Sequence, residues 1–138
     1  MKSELALADA YVAVWNEPDA ERRRKTLKSL WAEDGVHRLE PPEEMRNTAV
    51  GLGFRAPALE VRGYDELEMR VSRAYSDFVA PGEFTFRRRD DVSRVGDVVK
   101  FHWEMINTVT GAVAAVGLEI LLVDTDLQIR DDYQFIEG

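Results

Sequence analysis

The segment from Gly96 to Gly138 constrains the fold more than any other part of the chain. It holds three strand-like runs: Val98–Asn107, Ala112–Val123 and Gln128–Glu137. Turn signals separate them, Thr108-Val-Thr-Gly111 and Asp124-Thr-Asp126. β-Branched and aromatic residues bounded by Gly, Asp and Asn predict an antiparallel meander. Successive side chains of a strand point to opposite faces, so each run divides into two sets. Lys100, His102, Glu104, Glu119, Arg130, Asp132 and Gln134 form a polar set. Val99, Phe101, Trp103, Met105, Leu118, Ile120, Leu122, Ile129, Tyr133 and Phe135 form the other.

Upstream, the periodicity turns helical. Leu5, Ala8, Tyr11, Val12 and Trp15 recur at spacings of three and four, with Ser3 as a candidate cap. Pro18 opens a second helix, Ala20–Ala32, carrying Leu27, Leu30 and Trp31 and stopping at Asp34-Gly35. Val36–Glu40 reads as a short strand, and residues 43–62 as an irregular, mobile stretch whose Gly51–Pro57 loop covers something. A third helix, Gly63–Ala80, gathers Leu67, Val71, Ala74, Tyr75 and Phe78. One long strand follows, Glu83–Ser93. This order predicts an α+β domain spanning 1–138, with three helices on a curved, mostly antiparallel sheet.

Composition narrows the function. The 138 residues include no cysteine, which excludes disulfides, thiolate nucleophiles and thiolate metal sites. A formal net charge of −8 repels phosphate backbones, and nucleic acid is not an expected partner. The basic runs Arg22–Lys25 and Arg87–Arg89 have acids beside them and read as solvated faces. No membrane span or leader pattern is evident, so a cytoplasmic protein is expected. His37 and His102 lie on different elements without ligand spacing, and neither a metal nor a cofactor is expected.

The residues Ala10-Tyr-Val-Ala-Val-Trp-Asn16, then Leu30-Trp-Ala-Glu-Asp34, then Gly117–Ile129, in this order and spacing, resemble the nuclear transport factor 2-like superfamily. Within it, the chain resembles the SnoaL-like polyketide cyclases and ketosteroid isomerases. The resemblance implies a cone-shaped barrel with a cavity between helices and sheet, and a homodimer. In ketosteroid isomerases a helix-one tyrosine and a protonated sheet acid form an oxyanion hole, and a second aspartate moves the proton. Tyr11 matches the tyrosine and Glu119 the sheet acid. The proton-shuttling aspartate has no clean match, because Leu39 or Glu40 lies there. SnoaL-like cyclases need one sheet carboxylate near Glu119.

The candidate catalytic set is therefore Glu119, Tyr11, His102 and Asp132. A carboxyl in an apolar cone resists ionisation and moves protons near neutral pH, and a histidine both gives and takes them. Trp15, Trp31, Glu40, Phe54, Tyr75, Phe78, Glu104 and Arg130 are candidates for ligand binding. Placing Glu119 in the cavity carries Lys100, His102 and Glu104 in with it, and this is the favoured arrangement. The alternative is a surface ladder of those three residues. Arg130 and Asp132 either pair to rigidify the sheet or hold a water for epoxide hydrolysis with Glu119. The expected function is cofactor-free acid–base isomerisation or aldol cyclisation of a small, apolar carbonyl compound. A non-catalytic ligand-binding or dimerisation module and an epoxide hydrolase-like enzyme are the alternatives.

Overall fold

The computed structural model describes residues 3–53 and 58–137. Helix α1 (Glu4–Asn16) starts where the Ser3 hydroxyl accepts the Ala6 N–H at 3.1 Å. Helix α2 (Ala20–Leu30) is capped by Asp19, which accepts the Arg22 N–H, so Pro18 precedes the cap and does not open the helix. The helix ends at Leu30, and β1 (Trp31–Leu39) begins at once. Gly35 therefore stops no helix. It lies where the β1 register shifts, and a Cβ there would sit 2.9 Å from the Trp31 ring.

The stretch read as irregular contains α3 (Glu43–Gly51), followed by β2 (Leu59–Arg62). Helix α4 (Gly63–Ala74) buries Leu67 and Val71, then widens into a π-helical segment over Tyr75–Val79. The expected long strand after it is split into β3 (Phe84–Arg88) and β4 (Ser93–Val95). Strands β5 (Val98–Asn107), β6 (Val113–Val123) and β7 (Ile129–Glu137) complete the meander.

The sheet runs β2-β1-β7-β6-β5-β3, with β4 also paired to β5. Among the described residues only the β1–β7 pair is parallel, because the chain leaves β1, builds the helices and meander, and returns alongside it. Among the described residues there are thus four α-helices, and the sheet stays open between β2 and β3. The α+β class and the mostly antiparallel sheet hold; the expected cone-shaped barrel is an open sheet, and four helices stand where three were expected.

Register decides which face is inside. Phe101 pairs with Glu119, and Glu119 with Gln134. Paired residues share a face, so the odd-numbered residues of β5 accompany Glu119. Val99, Phe101, Leu121, Val123 and Ile129 are fully buried against Leu7, Tyr11, Leu27 and Val71. The apolar set of β5 faces the helices, and its polar set faces outward. On β7 a bulge interrupts the alternation: Leu122 pairs with Asp131 and Val123 with Ile129, leaving Arg130 unmatched. The bulge lets Ile129, Asp132 and Gln134 all serve the inner side.

Candidate active site

A cavity of about 580 Å³ opens between the helices and the concave sheet. That volume suits a drug-sized ligand. Val12 and Trp15 of α1, Phe78 of the π segment, and Phe86, Trp103 and Met105 of the sheet make its walls largely apolar. Leu39, Glu40, Glu43 and Arg46 also line it. The polar groups gather at Tyr11, His37, Arg70, Glu119 and Gln134, with Asp132 behind them.

Each of these residues is placed by its own element. Tyr11 is on the buried stripe of α1, and its hydroxyl donates to Asp132 Oδ2 at 2.5 Å. The Trp103 indole N–H donates to Glu119 Oε1 at 2.9 Å. Gly117 makes that bond possible. It sits opposite Trp103 across β5 and β6, and a Cβ on it would fall 2.1 Å from the indole ring. His37 Nε2 lies 2.8 Å from Gln134 Oε1 and 3.6 Å from Asp132 Oδ2. Arg70 Nη1 sits 2.8 Å from His37 Nδ1 and also donates to the Leu59 carbonyl at 2.9 Å.

The electrostatics follow from burial. Glu119 and Asp132 are both wholly buried, and Glu119 Oε2 and Asp132 Oδ1 have no conventional hydrogen-bond partner. Two like charges buried side by side cannot both ionise cheaply. Burial first, and the Asp132 charge second, push the Glu119 carboxyl well above its ordinary range. Because Glu119 Oε1 accepts from Trp103, its proton belongs on Oε2, the oxygen otherwise left bare. Burial, followed by Asp132 and Glu119, also holds the Tyr11 hydroxyl well above the usual phenol value, so it stays a donor. Burial lowers the His37 pKa, Arg70 lowers it further, and Asp132 opposes both.

His37, Glu119 and Asp132 each bring one donor atom within 4.8 Å of the others. Three strands supply this cluster, which is why sequence spacing carried no sign of it. The separations are compatible with a divalent cation, but the contact between Arg70 and His37 Nδ1 bears on that use.

The other expected residues scatter. Trp15, Glu40 and Phe78 line the cavity. Trp31 is buried behind it, its ring edge-on to His37 at 6.2 Å, and does not line it. Tyr75 lies under the Arg23 guanidinium at 4.7 Å, turned from the cavity by the helix face it occupies. The buried Arg23 also corrects the reading of the first basic run as wholly solvated. His102 and Glu104 are on the outer face, as the Phe101–Glu119 register requires. His102 bridges Asp91 and Glu137 at 2.6 Å each, and Glu104 is held by Arg87 and Arg89 at 2.8 and 3.0 Å. Arg130 is the exposed bulge residue, so a Glu119–Arg130–Asp132 arrangement around one water does not form. Phe54 lies outside the described residues.

His37, Arg70 and Trp103 were not among the expected site residues. Arg70 did carry a signal: it is three residues after Leu67 and four before Ala74, a charge on the apolar face of α4. His37 sits in a strand beside Val36, with no partner visible nearby in sequence.

A helical layer on a bent, mixed sheet with a cavity between them is the nuclear transport factor 2-like fold. Solved structures that share it with this chain include several SnoaL-like proteins. A SnoaL-like family protein from Agrobacterium tumefaciens, proposed to be an isomerase, is similar with a TM-score of 0.77 and 23% identity, over 100% of both chains. A SnoaL-like protein of unknown function from Burkholderia thailandensis gives 0.65 and 15%, over 98% of this chain and 94% of that one. An NTF2-like protein of unknown function from Exiguobacterium gives 0.61 and 15%, over 99% of each. No family model matches the chain, and no curated protein matches it. Among the described residues no helix is long and apolar enough to cross a membrane.

Proposed function

We propose that the cavity performs cofactor-free acid–base chemistry, isomerisation or aldol cyclisation, on a small and largely apolar carbonyl compound. One observation carries this reading: Glu119 lines an apolar cavity, and the Tyr11 hydroxyl beside it is bonded to a second fully buried carboxyl, Asp132, behind the wall. A pair of acids whose surroundings push their proton affinities apart supplies an acid and a base at one pH. Asp132 lies behind the cavity wall and acts through Tyr11: the Tyr11 oxygen takes a proton from the carbon beside the carbonyl as its own proton passes to Asp132. As that C–H bond breaks and the carbonyl oxygen gains charge, the Glu119 Oε2–H donates to it. Return of the proton to another carbon gives an isomer; attack of the carbanion on a second carbonyl gives an aldol product.

The test is deuterium uptake from D2O by a panel of bicyclic and tricyclic ketones, followed by NMR. Uptake is expected with the wild type and is expected to fall about a hundredfold or more in Glu119→Gln, the range for losing one acid–base group. Ketone affinity, read by tryptophan quenching, should be largely kept. Undiminished uptake in Glu119→Gln would sink the reading in favour of a binding module.

A further inference from the structure

We infer that Arg70 is a positioning residue: it holds His37 as the neutral Nε2–H tautomer, so the imidazole presents a donor to the carboxyl pair and no lone pair to a metal ion. The argument is one of hydrogen-bond sense. A guanidinium carries donors and no acceptor. Arg70 Nη1 stands 2.8 Å from His37 Nδ1, so Nδ1 must be the bare, accepting nitrogen. The single proton of the neutral ring then sits on Nε2. There it meets the Gln134 carbonyl oxygen at 2.8 Å, with Asp132 Oδ2 next at 3.6 Å.

Arg70 cannot simply swing away. The same Nη1 donates to the Leu59 carbonyl at 2.9 Å and approaches the His37 carbonyl at 3.4 Å, tying α4 to both β1 and β2. The groups facing the ring are Arg70 from α4, Asp132 and Gln134 from β7, and Glu119 from β6. Protonating the imidazole would put a hydrogen on Nδ1 against the guanidinium. Ligating a metal through Nε2 would require the proton to move to Nδ1, with the same clash. The His37–Glu119–Asp132 cluster has the spacing of a metal site, but Arg70 denies it the third ligand. Base chemistry then falls to the carboxyls alone, with His37 a fixed donor beside them. That last step rests on the proposed function; the tautomer does not.

The experiment needs no substrate. The chain has two histidines, so ¹⁵N-histidine protein with His102→Gln leaves one ring to observe. Long-range ¹H–¹⁵N correlation should show His37 protonated at Nε2 and bare at Nδ1, unchanged from about pH 5 to pH 8, across the ordinary histidine pKa. A ring protonated at Nδ1, or one that becomes imidazolium in that range, overturns the inference. In Arg70→Met the tautomers should mix or the ring should titrate. If Arg70 merely ties α4 to β2, this variant melts earlier while the tautomer stays pure, and that result also overturns it. Wild-type protein titrated with Co²⁺ should develop no visible absorption; a band abolished by His37→Asn would contradict the assignment without touching Glu119 and Asp132 as acid and base.

Discussion

The two faces of β5, β6 and β7 use the same residue types to opposite ends. On the inner face, His37, Glu119 and Asp132 are buried together, with the half-buried Arg70 beside them. On the outer face, His102 stands between Asp91 and Glu137, with Glu104 gripped by Arg87 and Arg89. Outside, two guanidiniums sit on the Glu104 carboxylate, so it ionises easily. The hydrogen bonds from Arg87, and then Arg89, hold Glu104 below its ordinary value despite partial burial. Inside, desolvation dominates and two acids share one small volume, so Glu119 is pushed the other way. Chemistry needs groups whose protonation is poised, and the buried inner face supplies one in Glu119. The wet face holds strands together.

Three changes would break or sharpen this contrast. The largest effect is expected from Gly117→Ala. Its methyl occupies the place of the Trp103 ring, so the indole must turn and release Glu119 Oε1. Overpacking of this kind costs about 1–3 kcal/mol. A lowered Tm and a shifted Trp103 indole N–H resonance should appear together; an unmoved indole would show that the inner face has room for the added methyl.

Next is the pH dependence of Glu119→Gln. The folded-state pKa of Glu119 is raised, so between the unfolded value and that raised value the folded chain binds the extra proton. Wild-type stability therefore falls as pH rises through this window, by about 1.4 kcal/mol for each pH unit that the window spans. Glutamine does not titrate. Denaturant melts should show the variant gaining on the wild type from the ordinary glutamate range upward, then levelling off. A gap that stays constant with pH would place the proton elsewhere.

The smallest effect belongs to Glu104→Gln. Because the folded pKa of Glu104 is lowered, its contribution is present above the unfolded value and is lost as pH falls through the folded one. Partly exposed ion pairs of this kind contribute under about 1 kcal/mol each. The variant should be slightly less stable at neutral pH and indistinguishable in acid. A ketone affinity altered by this outer change would break the separation of the two faces.

Much of this was legible in the chain itself. The 3.6-residue stripe through Ala8, Tyr11, Val12 and Trp15 made α1 and placed Tyr11 inside, although Leu5, read into the same stripe, is exposed and Leu7 is buried instead. Alternation and turn residues made the meander, and an acid within the apolar run Ala114–Val123 marked Glu119. These are local patterns, and local propensity and burial are enough to read them.

What sequence could not supply was everything depending on register and on distant partners. Alternation splits each strand into two sets but does not say which set of β5 accompanies which set of β6. The pairing of Phe101 with Glu119 turned His102 and Glu104 out to water. A single bulge at Arg130 broke the period of two and exposed that arginine while Asp132 stayed in. His37 and Asp132 are far apart in the chain and meet because β1 and β7 pair in parallel; Arg70 reaches them from α4. The sequence determined most of the helices and strands, though not α3 or the start of β1, and which residues have chemistry to offer. Only the tertiary structure decided which of them would be dried out together, because desolvation is a property of what surrounds a group and not of the group itself.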